Sequence, residues 1–421
     1  ENNMKVWNKY IYIYKVVSHM WHSFWVFLVQ KFLYPRKIKN LVKKQKIKVA
    51  FLHMGPTSIQ NLGIFEKMLQ SERFDPYLIV NPDVLRSKEN LIEQCNQSFR
   101  ELTQKYGENR VLLGYDIENN KANDYTKQFD IAFTNNPYDI MAHKFFTIAY
   151  WARKGVPMLY ISYFYMGMCF ISIKNLKNIE FNYFWKVFVE NEYVISLAKE
   201  HQRLKGKNLV LSGYPKLDNL PQIEKKEYTN KRIIIAPHHT IDSNPQSRGG
   251  FLQWADTVLL LPKKYRDIHF IFRPHPLLFE TLKNFWSKEK IEAYKTELFS
   301  NDNVEYSCEG DYLELFKNSD ALIHDCGSYM SEYLYTGNPC AYLYKQGANY
   351  NNIFVELGFK LLDCHAKIQT QQDLIDFIDN VVIKGEDTLK QHRQTFAKEK
   401  IMINYPNTQD VIMNHILESL S

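Results

Sequence analysis

The stretch IHFIFRPHP, residues 268–276, sets a run of β-favouring residues directly before an arginine, a histidine and two prolines. The apolar run predicts a buried strand, and proline ends it because proline removes a ladder donor and restricts the residue before it. Arg273 and His275 are therefore expected on a stiff loop at a strand end. In open α/β sheets ligands bind beyond the carboxyl ends of strands, so this loop predicts a site for an anionic ligand.

Similar apolar runs alternate with helical patterns along the chain, which predicts parallel sheets. The runs are IKVAFLHMG, FDPYLIVN, FDIAFTNNP and VPMLYISY in the first half, and KRIIIAPHH, IHFIFRPHP, DALIHDCG and PCAYLY in the second. A chain of 421 residues exceeds what one core usually serves. We therefore predict an α/β protein with two doubly wound, Rossmann-like domains, over 46–215 and 216–395, that face a ligand-binding cleft. Residues 396–421 are predicted to form a C-terminal helix.

The segment from Tyr10 to Lys48 differs in composition from the rest of the chain. It is apolar and aromatic up to Tyr34, and then carries Arg36, Lys37, Lys39, Lys43, Lys44, Lys46 and Lys48. A spanning helix needs about 20 predominantly apolar residues, and this segment is interrupted by Lys15, His19, His22 and Gln30. We predict that residues 1–45 form an amphipathic, basic helical segment, and that residues 10–48 contact a membrane surface. A helix packed on the protein's own core and a membrane span are the alternatives.

Composition and motif content argue against several classes of protein. The formal charge of +7 is spread over a long chain, and the basic residues cluster beside an apolar aromatic stretch, so we expect no nucleic-acid partner. The six cysteines show no C-x-x-C and no metal-like spacing, which favours free thiols in a reducing compartment over disulfides or structural zinc. Phosphate-loop, nucleophile-elbow and H-E-x-x-H motifs do not occur in the sequence.

A second polar group of residues follows another predicted strand, in HDCGSYMSEYLYTGNPC at 324–340. The strand delivers Asp325, Gly327 and Ser328 to the start of a predicted helix, where backbone N–H groups attract anions. Glu332 follows one helical turn later, where a carboxylate can accept hydrogen bonds from the hydroxyls of a ribose or another polyol. The alternative is a simple helix cap with Glu332 on a solvated face.

Two further loops add polar groups to the predicted cleft. IIIAPHHT ends a strand with His238 and His239, whose imidazoles can contact phosphate or move a proton near neutral pH, unless their role is structural. LSGYPKLDNL carries Gly213 and Lys216, which we assign to nucleotide binding. Together with Arg273 and His275, these residues predict a site that binds a pyrophosphate and its sugar.

These elements resemble the motifs of the teichoic-acid-type CDP-glycerol glycerophosphotransferases, which have the GT-B fold. LSGYPKLD resembles GYPR-x-D, FRPHP resembles [KR]-x-HP, and LIHDCGSYMSEYLYTGNP resembles TDYSS-x-x-x-[DE] followed by N-[RK]-P. The three motifs occur in the same order, and the likeness covers roughly residues 190–360. It extends to bacterial capsule-biosynthesis proteins that use the same half of the fold with various donors.

The resemblance implies transfer of a phospho-polyol from a CDP-alcohol to a hydroxyl of a lipid-linked glycan or growing polymer, with release of CMP. It places His275, Ser328 and Asp325 at the donor pyrophosphate, with Arg273 beside them. It also implies a bacterial cytoplasmic protein, peripheral on the inner face of the cytoplasmic membrane. No cofactor and no metal are expected. The alternatives are a GT-B glycosyltransferase that uses a nucleotide-sugar donor, and a non-catalytic, membrane-associated binding protein of the same fold.

Three departures from the family pattern leave the donor and the catalytic base open. The family's P-T-W-R element is replaced by PHHT at 237–240, and its W-H-G-T element by VPMLYISYFYMGM at 156–168, which has no histidine. HDCGS also replaces the tyrosine and first serine of TDYSS. The candidate bases are His53, on the loop after the first strand, and His238 or His239. His53 is favoured because the acceptor should enter from the N-terminal domain.

Overall fold

The computed structural model describes residues 16–55, 62–85, 87–116, 119–244, 247–308 and 312–421. The chain divides into two compact units. The first unit comprises the described residues up to Phe164, together with Ile171–Lys216 and Asn407–Ser421. The second unit comprises Tyr165–Phe170 and Leu217–Pro406.

The first unit is built around a parallel sheet. Its strands are β1 (Ile47–His53), β2 (Phe74–Val80), β3 (Val111–Leu113), β6 (Ile131–Thr134), β7 (Met158–Ile161), β8 (Lys186–Val189) and β9 (Leu209–Leu211), and a separate antiparallel pair is formed by β4 (Tyr115–Asp116) and β5 (Lys121–Ala122). The seven strands lie in the order β3-β2-β1-β6-β7-β8-β9, which reverses direction at β1 as doubly wound sheets do. Strands β6 and β7 are buried at every residue, as expected for a sheet covered on both faces.

Helices cover this sheet and complete its core. Those up to residue 217 are 16–28, Val29–Leu33 (a π-helix), Tyr34–Val42, Leu62–Leu69, Lys88–Tyr106, Ile148–Arg153, Phe170–Lys177 and Glu192–His201, with 3₁₀ turns at Glu108–Arg110, Asp139–Met141, Lys144–Phe146, Ile179–Tyr183 and Pro215–Leu217. The helix Thr408–Ser419 also belongs to this unit. It adds Ile412, Met413 and Ile416 to the core that contains β1 and β2.

The second unit is built around a six-stranded parallel sheet in the order β12-β11-β10-β13-β14-β15. The strands are β10 (Lys231–Ala236), β11 (Ile268–Phe272), β12 (Val304–Tyr306), β13 (Ala321–His324), β14 (Cys340–Leu343) and β15 (Ala366–Ile368). The helices are Phe251–Lys264, Leu278–Leu282, Lys288–Phe299, Leu313–Lys317, Tyr329–Glu332, Glu356–Leu362, Gln371–Asp376 and Lys390–Phe396, with π-helices at Phe377–Ile383 and Ala397–Ile401, and 3₁₀ turns at Leu220–Gln222, Tyr333–Thr336 and Tyr350–Asn352.

The register of the central strands places three polar loops side by side. Ile235 of β10 pairs with Phe272, the last residue of β11. Ala236 of β10 pairs with His324, the last residue of β13. Because these strands are parallel and end at the same level, the loops that follow them are neighbours at one edge of the sheet.

The helical segment 16–42 packs one face on the first unit. Val26, Val29 and Tyr34 are buried on that face. The Gln30 side-chain amide donates hydrogen bonds of 2.9 Å to the backbone carbonyls of Asn182 and Phe184. Residues 10–15 of the predicted membrane segment lie outside the described residues. Among those that the structure does describe, no helix is long and apolar enough to span a bilayer.

The opposite side of the same segment exposes large apolar side chains to solvent. We call it the aromatic face, and it consists of Val17, Met20, Trp21, Phe24, Phe27 and Phe32, each more than half exposed. The π-helix inserts an extra residue per turn, so Phe27 and Phe32 lie together, with ring centroids 5.8 Å apart. Two of the predicted membrane-facing lysines, Lys37 and Lys44, bind Asp130 instead.

Candidate functional site

Three histidines converge at the carboxyl edge of the second sheet. His238 and His239 follow β10, and His275 follows β11. Their ring centroids lie 4.6 Å (His238 to His239), 5.1 Å (His238 to His275) and 4.1 Å (His239 to His275) apart. The backbone holds the two loops together, because the His275 N–H donates a 2.9 Å hydrogen bond to the Pro237 carbonyl. We call these three residues the histidine cluster.

Asp325, the first residue after β13, joins two loops beneath this cluster. Its carboxylate is fully buried and accepts hydrogen bonds from the backbone N–H groups of His238 (2.6 Å) and Gly250 (2.7 Å). Burial raises the pKa of Asp325 to about 7, although the two N–H donors and Arg248 act in the opposite direction. The residue therefore fixes the position of the histidine loop relative to the start of the helix Phe251–Lys264.

All three imidazoles of the histidine cluster have lowered pKa values, which favours their neutral forms. Burial, with smaller effects from His239 and Arg248, lowers the pKa of His275 to about 4. Burial and the Arg248 guanidinium also lower the pKa values of His238 and His239. A positive charge is costly for each imidazole because the surroundings are poorly solvated and already contain a cation.

The hydrogen bonds of two of the imidazoles decide which ring nitrogen carries the proton. Nδ1 of His238 accepts a 3.2 Å hydrogen bond from the Thr240 N–H and lies 2.9 Å from the Thr240 hydroxyl, which can also donate to it. Nδ1 of His275 accepts a 3.2 Å hydrogen bond from the Leu277 N–H. A neutral imidazole has one donor and one acceptor nitrogen, so Nε2 of both residues carries the hydrogen. Both rings therefore present N–H donors at Nε2.

This tautomer bears on metal binding by the cluster. The ligand atoms of His238, His239 and His275 lie within 4.8 Å of one another, a spacing that a metal ion could bridge. A metal ligand, however, needs a nitrogen with a free lone pair. In His238 and His275 the free nitrogen bears a hydrogen and the other nitrogen is occupied by a backbone N–H, so the arrangement fits an anion better than a cation.

Arg273 and Glu332 belong to a second, adjoining group of side chains. The Arg273 guanidinium donates a 2.8 Å hydrogen bond from Nη1 to the Ser307 hydroxyl and lies over the Tyr312 ring, 5.5 Å from its centroid. The Tyr312 hydroxyl donates a hydrogen bond to the Glu332 carboxylate, which is fully buried. Glu332 thus lies in the interior of the unit, and its position on a solvated face is excluded.

Gly327 and Ser328 lie on the turn between β13 and the helix Tyr329–Glu332. The Ser328 backbone is helical and its side chain makes no capping hydrogen bond. Its hydroxyl instead accepts a 3.4 Å hydrogen bond from the Tyr165 N–H. A Cβ atom on Gly327 would lie 2.8 Å from Nη2 of Arg248, so any other residue there would displace the guanidinium.

Three of the sequence-predicted site residues lie in the first unit. His53 ends β1, is 5% exposed, and has its pKa lowered to about 4 by burial. Gly213 follows β9 with a φ of +90°, a conformation that glycine adopts readily, and Lys216 lies on the next turn. The residues that the structure brings together are those of the second unit.

Sequence reasoning missed Arg248, which lies among the histidines, Asp325 and Gly327. It precedes Gly249 and Gly250 at the start of the helix Phe251–Lys264. A Cβ atom on Gly249 would lie 2.8 Å from the Thr240 carbonyl oxygen, so glycine permits this close approach. An arginine followed by two glycines before a helix was therefore the available signal. Ser307 and Tyr312 were also missed, and no pattern marks them.

Solved structures of similar fold are GT-B enzymes. A variant of the wall teichoic acid polymerase TagF matches with 14% identity and a TM-score of 0.57, covering 92% of this chain and 92% of that chain. MnaA from S. aureus with UDP matches with 13% identity and a TM-score of 0.55, covering 88% and 96%. The Neisseria meningitidis UDP-GlcNAc 2-epimerase bound to UDP-GlcNAc matches with 14% identity and a TM-score of 0.51, covering 89% and 100%. The predicted GT-B fold is confirmed.

Sequence comparison identifies the family. A search of curated proteins finds no match. The family model for CDP-glycerol:poly(glycerophosphate) glycerophosphotransferases matches residues 172–417, which is more than half of the chain and includes all three loops of the candidate site. This match confirms the resemblance seen in the sequence motifs. The chain belongs to the CDP-glycerol:poly(glycerophosphate) glycerophosphotransferase family, and it is a transferase of that type.

Proposed function

We propose that this glycerophosphotransferase takes glycerol- or ribitol-phosphate from a CDP-alcohol, passes it to a hydroxyl of a lipid-linked or polymeric bacterial surface glycan, and releases CMP. The observation that carries the proposal is the histidine cluster, whose Nε2–H donors lie at the carboxyl edge of the sheet where nucleotides bind in α/β proteins. The family match supports a CDP-glycerol donor. A similar TagF structure comes from a CDPG soak.

In the proposed reaction an acceptor hydroxyl oxygen attacks the β-phosphorus of the donor. The new phosphorus–oxygen bond forms as the bond to the CMP oxygen breaks, and the hydroxyl proton passes to a base. Negative charge accumulates on the phosphoryl oxygens and on the departing CMP, where fixed N–H donors stabilise the transition state more than the ground state. His275 and His238 donate such N–H groups. Ser328 and Asp325, on the adjoining loop, are proposed to lie at the same pyrophosphate.

We assign the catalytic base separately, because a histidine that acts as an N–H donor to the phosphate is not available to accept the hydroxyl proton. The hydrogen bond from the Thr240 N–H to His238 Nδ1 favours a donor role for His238. His53 of the first unit is neutral and is the base that we propose, with His239 as the alternative. Arg273 and Gly327 are proposed to lie at the donor pyrophosphate, and Glu332, Gly213 and Lys216 are proposed to contact the ribose and the nucleotide.

Product analysis tests the donor. The purified protein is incubated with CDP-glycerol, CDP-ribitol, and UDP-, GDP- and CMP-sugars, with and without a lipid-linked glycan acceptor. We expect acceptor-dependent release of CMP from a CDP-alcohol, and a new phosphodiester detected by phosphorus NMR. Release of UDP or GDP would identify a glycosyltransferase, because the nucleoside diphosphate then leaves from the sugar carbon. Nucleotide binding without turnover of any donor would support a non-catalytic protein.

We further propose that the aromatic face of residues 16–42 rests on the inner face of the bacterial cytoplasmic membrane, where a lipid-linked acceptor would be found. Three observations support this. The other side of the segment is already packed on the first unit. Aromatic side chains favour the interface between water and lipid. Exposed basic residues flank the face and can attract anionic lipid, namely Lys31, Arg36, Lys39, Lys43 and Lys46.

Vesicle sedimentation tests the membrane proposal. The triple variant Trp21→Gln, Phe24→Gln, Phe27→Gln should bind vesicles of phosphatidylcholine and phosphatidylglycerol about 100-fold more weakly than the natural protein. Each aromatic ring that enters the interface contributes about 1 kcal/mol, and about 1.4 kcal/mol is tenfold in affinity. The control is Leu85→Gln, Ile140→Gln, which removes two apolar side chains elsewhere on the first unit that are more exposed than the three aromatic ones. Equal binding by the triple variant, or no binding by the natural protein at low salt, would refute the proposal.

A further inference from the structure

We propose that Arg248 binds the diphosphate of the donor and supplies the positive charge of its binding site. The inference rests on the proposed function, since it takes a nucleoside diphosphate as the ligand. Neither the sequence motifs nor the comparisons assign a role to Arg248. Its position, its open hydrogen-bond donors and the N–H donors of the neighbouring histidines carry the argument.

The backbone of Arg248 is held against the histidine loop. The next residue, Gly249, donates a 3.0 Å hydrogen bond to the Thr240 carbonyl. Gly250 then donates to the Asp325 carboxylate at 2.7 Å. Arg248 is therefore held beside the loops that follow β10 and β13.

The Arg248 guanidinium has donors without a strong partner. Nη1 lies 3.7 Å from the Cys169 sulfur, a weak acceptor, and Nε is buried without a hydrogen-bond partner. In the described part of the chain, no carboxylate lies within ion-pair distance of it. A cation in such surroundings binds an anion strongly, because charge-assisted hydrogen bonds gain strength where water is scarce.

The turn after β13 and the histidine cluster both lie beside the Arg248 guanidinium. Nη2 lies 2.8 Å from the position that a Cβ atom on Gly327 would take, so the turn after β13 borders one side of the guanidinium. The histidine cluster lies near enough for Arg248 to lower the pKa of all three imidazoles. His238 and His275 present neutral Nε2–H donors. A diphosphate bound among them would accept hydrogen bonds from both rings and neutralise the guanidinium.

Calorimetric titration with CDP tests this inference. Arg248→Met should weaken CDP binding about 10- to 100-fold, because a hydrogen-bonded charge is removed, and Arg248→Lys should lose less. Gly327→Ala should also weaken CDP binding, because the added methyl group displaces the Arg248 guanidinium. Cytidine lacks phosphate, so its binding, measured by saturation-transfer NMR, should stay unchanged in all three variants. A structural role would weaken CDP and cytidine binding alike.

The control is Arg266→Met, which removes an exposed arginine of the same unit. If the natural protein binds CDP and Arg248→Met binds it equally well, Arg248 has no role in donor binding, while the proposed function stands. If cytidine binding falls in parallel with CDP binding, the role is structural and the inference also fails. If the natural protein binds no nucleoside diphosphate, the inference and the proposed function fall together.

Discussion

Replacing His275 with alanine should lower the rate of acceptor-dependent CMP release about 100- to 1,000-fold, the usual loss when one fixed donor to a developing oxyanion is removed. The loss should fall mainly on the turnover rate, because the hydrogen bond from the His275 N–H becomes stronger as charge develops on the phosphoryl group. The measurement is the rate of CMP release from CDP-glycerol at saturating acceptor. The His275 side chain is only partly buried, so the variant should fold normally.

A matched control comes from the same strand. His269→Ala removes a partly exposed histidine of β11 whose Nε2 lies 3.1 Å from Glu305, away from the cluster. This variant should turn over CDP-glycerol at close to the natural rate. His275→Ala within about threefold of the natural rate would show that the imidazole takes no part in the transition state, since removing a catalytic donor costs far more.

Replacing Asp325 with alanine should lower the free energy of unfolding of the second unit by about 2–5 kcal/mol, because two buried N–H groups lose their acceptor. These are the backbone N–H groups of His238 and Gly250, which have no solvent to replace the carboxylate. Activity should also be lost, since the histidine loop and the start of the helix Phe251–Lys264 are held together through this side chain. Urea unfolding followed by circular dichroism gives the change in stability.

Two companion variants separate geometry from charge. Asp325→Asn keeps the shape but turns an N–H donor towards one of the two backbone donors, so its loss should be intermediate. Asp363→Ala removes an exposed carboxylate paired with Lys367, and such surface pairs contribute less than about 1 kcal/mol. If Asp325→Ala were as stable as Asp363→Ala, the two hydrogen bonds would not hold the loops.

The alternation of strands and helices was readable from the sequence because buried parallel strands are continuous apolar runs. Residues 233–236 and 270–272 are buried strands as their composition predicts. The sequence could not predict to which unit the helix Thr408–Ser419 belongs. Its apolar spacing shows that one side is buried, but periodicity carries no information about which sheet it packs on.

The candidate site was predictable where residues directly follow strands. The rule that ligands bind at the carboxyl edge brought His238, His275 and Asp325 together from sequence alone. Arg248 escaped because it enters from a long loop, and its side chain reaches the site only through the close approach of Gly249 to Thr240. The contact between Tyr312 and Glu332 could not be predicted for a similar reason, because side chains 20 positions apart meet only through tertiary packing.

The return of Thr408–Ser419 to the first unit has a consequence for synthesis on the ribosome. Residues 217–406 emerge as one continuous stretch and can form their own core as soon as they have been translated. The core of the first unit forms completely only later, because Ile412, Met413 and Ile416 belong to it and are translated after that stretch. During this interval nascent chains expose hydrophobic surface of the first unit, and exposed surface of this kind favours aggregation.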